Sequence, residues 1–234
     1  MDDDGTEKAE RRQEATKQML ATIQYRVRGE LRFLSHAEMM RLFQRACARA
    51  GVKILYSQGF NPHPKMSLVL PRSVGVESDD ELLCLWIRQA HHEWLEEGKV
   101  SFDVELLKKE MPQGIEIISA NISEAKKIPE PASARYVIKV KKELAEGQIK
   151  ETIDGLSKKE KILVDRRVDE GPKTKVVDVR PFMKSISEEG KDIFVDCAIT
   201  QSGTIRVEEI LGLLQLCVED LAEPVLRKSV QYTN

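Results

Sequence analysis

Phe60, Asn61, His63 and Lys65 stand close together in the run Ser57-Gln58-Gly59-Phe60-Asn61-Pro62-His63-Pro64-Lys65. An aromatic face can stack on a base, an amide can read its edge, and an ammonium can neutralise a phosphate. An imidazole can do the same or move a proton. Pro62 and Pro64 fix two φ angles and hold Asn61 and His63 extended. Gly59 permits a positive φ ahead of them. So stiff a loop loses little further entropy when it binds. Tyr56 precedes it and adds a second aromatic ring, and Arg72 follows the next apolar run.

A second set of charges sits upstream. Arg41, Arg45 and Arg49 are four residues apart, a spacing that stacks them along one face of a helix. Like charges at this spacing repel, and either acidic neighbours or a bound anion would relieve them. Residues 22–78 hold nine Lys and Arg against three Asp and Glu, whereas residues 79–134 hold six against twelve. The net charge of −2 therefore conceals a basic stretch that coincides with the stiff loop. A localised positive field suits phosphate or nucleic acid.

These groups must be positioned by ordinary elements. Tyr25 to Val27 alternates as a strand ending at Gly29. Ser35-His36-Ala37-Glu38 fits a capping box, which starts a helix from about His36 to Ala50, with Gly51 as its left-handed stop. Met39, Leu42, Phe43, Ala46, Cys47 and Ala50 form its core stripe. Lys65 to Leu70 reads as a strand, with Gly75 and Glu77 in a second turn.

The run FLSHAEMMRLFQRACARAG, followed by YSQGFNPHPKMSLVLPRSVGVESDDE, resembles the radical-SAM-linked proteins of bacteria. The resemblance is close over residues 25–82. Beyond them, DVRP at Asp178 to Pro181 and GTIRVEEILGLL at Gly203 to Leu214 still fit. It implies a radical-SAM partner, since some members join this domain to a radical-SAM protein with a cobalamin-binding region. The chain has no CxxxCxxC triplet, so a partner would supply the cluster. The resemblance assigns no catalytic residues.

The 234 residues are 41% hydrophobic and 32% charged, an ordinary globular composition. No apolar run approaches the 18 or so residues of a membrane helix. The start, MDDDGTEKAERRQEATK, has no apolar core of a signal peptide. Cys47, Cys84, Cys197 and Cys217 lie far apart in apolar contexts, which suggests buried free thiols and a cytoplasmic location. P-loop, GxGxxG and GxSxG patterns are all missing, so no cofactor is expected. No metal is expected either: His36, His63 and Cys47 match no known ligand spacing, and the adjacent His91 and His92 would point about 100° apart on a helix.

The chain reads in order as a polar tail over residues 1–20, an N-terminal domain over 21–127, a Pro-rich linker over 128–134, and a C-terminal domain over 135–234. Further strands are expected at Glu81 to Arg88 and Ile115 to Ile122, with a polar QAHHEWLEEGK insertion and a helix from Phe102 to Met111 between them. The second half is expected to hold a strand from Arg135 to Lys141 and a helix from Glu143 to Leu156. Lys161 to Val168 would pair with Lys175 to Val179 across Asp169 to Pro172. A strand from Ile193 to Ile199, a helix from Val207 to Val218 and an edge strand from Leu226 to Tyr232 complete it. Two successive βαββαβ-like runs give an α+β chain of two ferredoxin-like modules in tandem.

The function expected is an RNA-binding accessory protein acting with a radical-SAM partner. Phe60, Tyr56 and His63 would stack on bases; Lys65, Arg72, Arg41 and Arg45 would hold phosphates. Two alternatives stand beside it. One is a small enzyme or cofactor-handling subunit whose pocket is lined by His36, Asn61 and His63. The other is a protein-binding adaptor.

Overall fold

A computed structural model describes residues 18–88, 103–124, 126–141, 146–167 and 174–233. The expected tail up to residue 17, the QAHHEWLEEGK insertion from Gln89, Phe102 and the turn Asp169–Pro172 lie outside them. The protein is a mixed α+β chain whose strands pair mostly antiparallel. It divides into two compact units. The described residues up to Pro71 join Glu81–Pro129 in the first, and Arg72–Asp80 joins Glu130–Thr233 in the second.

The first unit contains β1 (Gln18–Val27), α1 (His36–Arg49), β2 (Met66–Leu68), most of β3 (Glu77–Arg88), α2 (Val104–Lys109) and β4 (Ile115–Ser123). Its strands lie in the order β4-β1-β3-β2, with β1–β4 and β2–β3 antiparallel. The apolar stripe of α1 buries Met39, Phe43, Ala46 and Cys47. Phe43 meets the Tyr25 ring edge-on, with centroids 4.7 Å apart. Large apolar side chains buried this fully contribute about 1.5–3 kcal/mol each.

The start of α1 is capped as the sequence predicts. The Ser35 hydroxyl accepts the Glu38 amide at 3.3 Å and donates to the Glu38 carboxylate at 2.7 Å. The Ser35 amide donates to the same carboxylate at 2.8 Å. These bonds from the Ser35 hydroxyl and amide, with Arg41 nearby, hold the Glu38 carboxyl below its usual value. At the other end Gly51 takes a φ of +72°, and the Val52 amide reaches back to the Cys47 carbonyl at 2.9 Å.

The second unit contains β5 (Glu130–Lys139), α3 (Glu146–Lys158), the hairpin β6 (Leu163–Arg167) and β7 (Thr174–Asp178), β8 (Met183–Glu189), β9 (Asp192–Ala198), α4 (Val207–Leu213) and β10 (Leu226–Thr233). Its main strand order is β10-β5-β9-β8. The core gathers Ile138, Ile153, Phe182, Val195, Ile205 and Ile210.

Several elements differ from expectation. Residues 130–134, read as linker, are the first half of β5, because their backbone pairs with β9 and β10 despite Pro131. The expected edge strand β10 is flanked on both sides, by β5 and, in parallel, by Glu77 and Ser78 of β3. Glu77 is therefore in a strand and not in a turn. Within the second unit Asp79 and Asp80 reinforce this pairing: Asp80 accepts the Val230 amide at 2.8 Å and Asp79 the Lys228 ammonium at 2.9 Å. β8 carries little apolar signal and has no counterpart in the sequence reading.

Candidate nucleic-acid interface

The loop after α1 is closed by its own backbone. The Ser57 amide donates to the His63 carbonyl at 2.8 Å, and the His63 amide donates to the Ser57 hydroxyl at 2.9 Å. Tyr56 bridges to Pro64, and the Lys65 amide donates to the Leu55 carbonyl at 2.7 Å. On the other side the Leu55 amide reaches the Trp86 carbonyl, which ties the base of the loop to β3. The tip is Gln58 to Pro62. Gly59 turns it with a φ of +127°, a conformation that disfavours any side chain.

Phe60 sits on this tip with its ring wholly in solvent, 112% exposed. It is not a core plug. Tyr56 is half exposed, at 48%. Asn61 and His63 also face outward, while Lys65 is half-buried. An aromatic ring held on a pinned loop exposes apolar area that the fold itself does not use.

The nine cations of residues 22–78 separate cleanly. Five serve the fold. Arg26 pairs with Glu116 at 3.1 Å, and the Arg28 guanidinium donates to the Val27 carbonyl. Arg32 donates to the Gly29 carbonyl and covers the Phe33 ring at 4.2 Å. Arg49, third in the helical ladder, is bound to the carboxylate and carbonyl of Glu110. Arg72 donates to the carbonyls of Ser73 and Val76. The other four, Arg41, Arg45, Lys53 and Lys65, make no side-chain hydrogen bond or ion pair among the described residues.

Those four line two clefts in the first unit. One, of about 510 Å³, runs between α1 and the following chain and is walled by Arg41, Gln44, Arg45, Val52, Lys53 and Tyr56. The other, of about 660 Å³, includes Lys53, Tyr56, Gly59, Pro62 and Lys65. They share Lys53, Ile54 and Tyr56. No acidic side chain is among the described residues that line either one.

The structure thus brings Arg41, Arg45, Tyr56, Gly59 and Lys65 to one place. Phe60, Asn61 and His63 crown the adjoining tip, while His36 lies exposed at the start of α1 and lines neither cleft. His36, Asn61 and His63 do not share either cleft. Arg72 falls in the second unit, its guanidinium is held by a turn, and it lines neither cleft. Sequence reasoning missed Lys53. Its signal was its place two residues after the helix stop, where the chain must turn back along α1.

Three of the four free thiols are buried. Burial pushes Cys47 and Cys197 up to about 12 and Cys84 to about 11, so all three stay protonated. Cys217 is exposed, contrary to expectation, and donates to the Asp220 carboxylate at 2.9 Å. Hydrogen bonding to Asp220 and then Glu219 raises its pKa. Among the described residues no helix is long and apolar enough to cross a membrane.

A family model described as "Uncharacterized protein conserved in bacteria (DUF2344)" matches residues 21–208. No curated protein matches the chain.

Proposed function

The chain belongs to that bacterial family, and from this premise we propose that it is an RNA-binding accessory protein that presents RNA to a radical-SAM partner. One observation carries the RNA part. Every cation of residues 22–78 that makes no side-chain hydrogen bond or ion pair among the described residues lines the same pair of clefts, beside Tyr56 and next to Gly59 and Pro62, which flank the exposed Phe60. A basic groove that tracks a backbone, next to aromatic rings on which bases stack, is how single-stranded nucleic acid is held.

The radical-SAM part rests on the close resemblance over residues 25–82 and on the missing CxxxCxxC triplet, which leaves the cluster to a partner. The architecture is read as two split βαβ modules in tandem. Each unit runs strand, helix, two strands, helix, strand, with the fourth strand beside the first and the third between the first and the second. The β6–β7 hairpin is an insertion in the second. That fold supports the reading only as analogy.

A salt series tests the RNA part. With four cleft cations engaged, log K for a single-stranded RNA should fall against log salt with a slope of about −3. A flat dependence would remove the phosphate contacts from the proposal. Isolation of the protein from its native cell tests the partnership. Recovery with neither RNA nor a radical-SAM protein counts against it.

A further inference from the structure

The cations of the groove are not evenly spread. The smaller cleft gathers Arg41, Arg45 and Lys53, while the larger shares Lys53 and adds Lys65 alone. A strand threading through would present one negative charge per phosphodiester, at regular intervals. Three cations around a single space of about 510 Å³ exceed what one phosphodiester neutralises. Arg41 and Arg45 are one helical turn apart, where like charges repel. The Glu38 carboxylate, one turn before Arg41 and bonded to Ser35, offsets part of this, and no carboxylate is among the described residues that line the cleft. The rest of the wall is Gln44, Ala48, Val52, Ile54 and Tyr56, which adds an amide and a phenol but no charge.

A phosphate at the end of a strand fits this charge count better. A monoester carries about −1.5 to −2 at neutral pH and presents three acceptor oxygens. Planar guanidinium forks match such oxygens two at a time, and Gln44 can donate to a third. Tyr56 and Lys53, shared by both clefts, would then stand between the phosphate and its nucleoside, with the larger cleft beyond them.

We propose that the Arg41–Arg45–Lys53 cleft is a pocket for a terminal phosphate monoester. The ligand is then an RNA end bearing that group, not an internal stretch of strand. The inference rests on the RNA reading of the groove, but it can be separated from it by experiment. Calorimetric titrations of the full chain would compare one single-stranded RNA sequence with 5′-phosphate, 3′-phosphate or hydroxyl ends, alongside a free nucleoside monophosphate.

One phosphorylated end should bind at least tenfold tighter than the hydroxyl-ended strand. Arg41→Gln and Arg45→Gln should weaken that phosphorylated strand far more than the hydroxyl-ended one. Both side chains are exposed, so a thermal melt should show each variant folded. Equal binding by all three strands overturns the pocket and leaves the RNA reading standing. Binding of the monophosphate alone, sensitive to Arg45→Gln, supports the pocket and ends the RNA reading. Binding of neither overturns both.

Discussion

Two proline-stiffened turns in this molecule use similar residues for different ends. In Asp178-Val179-Arg180-Pro181 nearly every polar group is satisfied internally. The Asp178 carboxylate accepts the amides of Ile162 and Arg180, each at 3.0 Å. The Arg180 guanidinium donates to the carbonyls of Lys159 and Met183, each at 2.9 Å. Phe182 then plunges into the core. In Ser57 to Lys65 the backbone is equally well tied, yet Phe60, Asn61 and His63 point outward and the Lys65 ammonium lines a cleft. The first turn is closed upon itself; the second is rigid backbone with its side chains left over. Stiffness does not distinguish the two turns; what distinguishes them is which polar and aromatic groups each leaves outside the fold.

The most forceful test of that contrast compares the two phenylalanines. Phe182 is 6% exposed, so Phe182→Ala should cost about 3–5 kcal/mol through lost contacts and a cavity. Phe60→Ala should change stability by no more than about 0.5 kcal/mol, as for other surface substitutions. Chemical denaturation of both variants measures the difference. Comparable losses in the two would mean that the loop is built like the DVRP turn.

The next effect is on binding. If bases stack on Phe60, its removal should weaken single-stranded RNA by about 1–3 kcal/mol. Lys65→Ala should weaken all sequences alike and flatten the salt slope by about one phosphate contact. Isotherms at several salt concentrations separate these signatures. A Phe60→Ala variant that binds like the parent, together with an unchanged slope for Lys65→Ala, would leave the loop without a role in RNA recognition.

How much of this was legible follows from which interactions are local. The Ser35–Glu38 box, the stripe of Met39, Phe43, Ala46 and Cys47, and the stiffness of the Gly59–Pro64 tip depend on residues within a turn or two of one another. Sequence spacing reveals these directly. β8 depends on β9, and its Met183 and Ile186 are too sparse to announce a strand. The burial of β10 between two neighbours is a matter of distant pairing that no local pattern encodes. Charge roles were split for the same reason. Arg49 and Arg72 look like Arg41 and Arg45 in sequence, and only the positions of the Glu110 carboxylate and the Val76 carbonyl decide that they belong to the fold. Lys53 becomes part of the site only when the chain after Gly51 runs back beside α1.

The capping box allows a smaller test on the loop's side of the comparison. Ser35→Ala removes the acceptor for the Glu38 amide and should cost about 1 kcal/mol. Because α1 carries Arg41 and Arg45, RNA binding measured well below the melting temperature should change less than it does for Phe60→Ala. A stability equal to the parent's in urea would show that the helix is held by its packing alone.

The smallest expected effect lies at low pH, on the DVRP side. The amides of Ile162 and Arg180 hold the Asp178 carboxyl below its ordinary value, helped by Lys161 and Arg180. A depressed folded-state value means that the ionised form favours folding. That contribution is fully present above the unfolded value of about 3.9 and is lost as pH falls through the lower folded value. Asp178→Asn keeps an oxygen acceptor but no titrating group. The stability gap between parent and variant should therefore be widest near neutrality and should narrow below about pH 4. Asn61→Ala, in the outward-facing loop, should leave the whole pH curve parallel to the parent's. Denaturation midpoints from neutral pH down to the acid limb give both answers. A gap for Asp178→Asn that stays constant with pH would mean that its carboxylate is not what the two amides need, and the contrast between a closed turn and an open one would then rest on Phe60 and Phe182 alone.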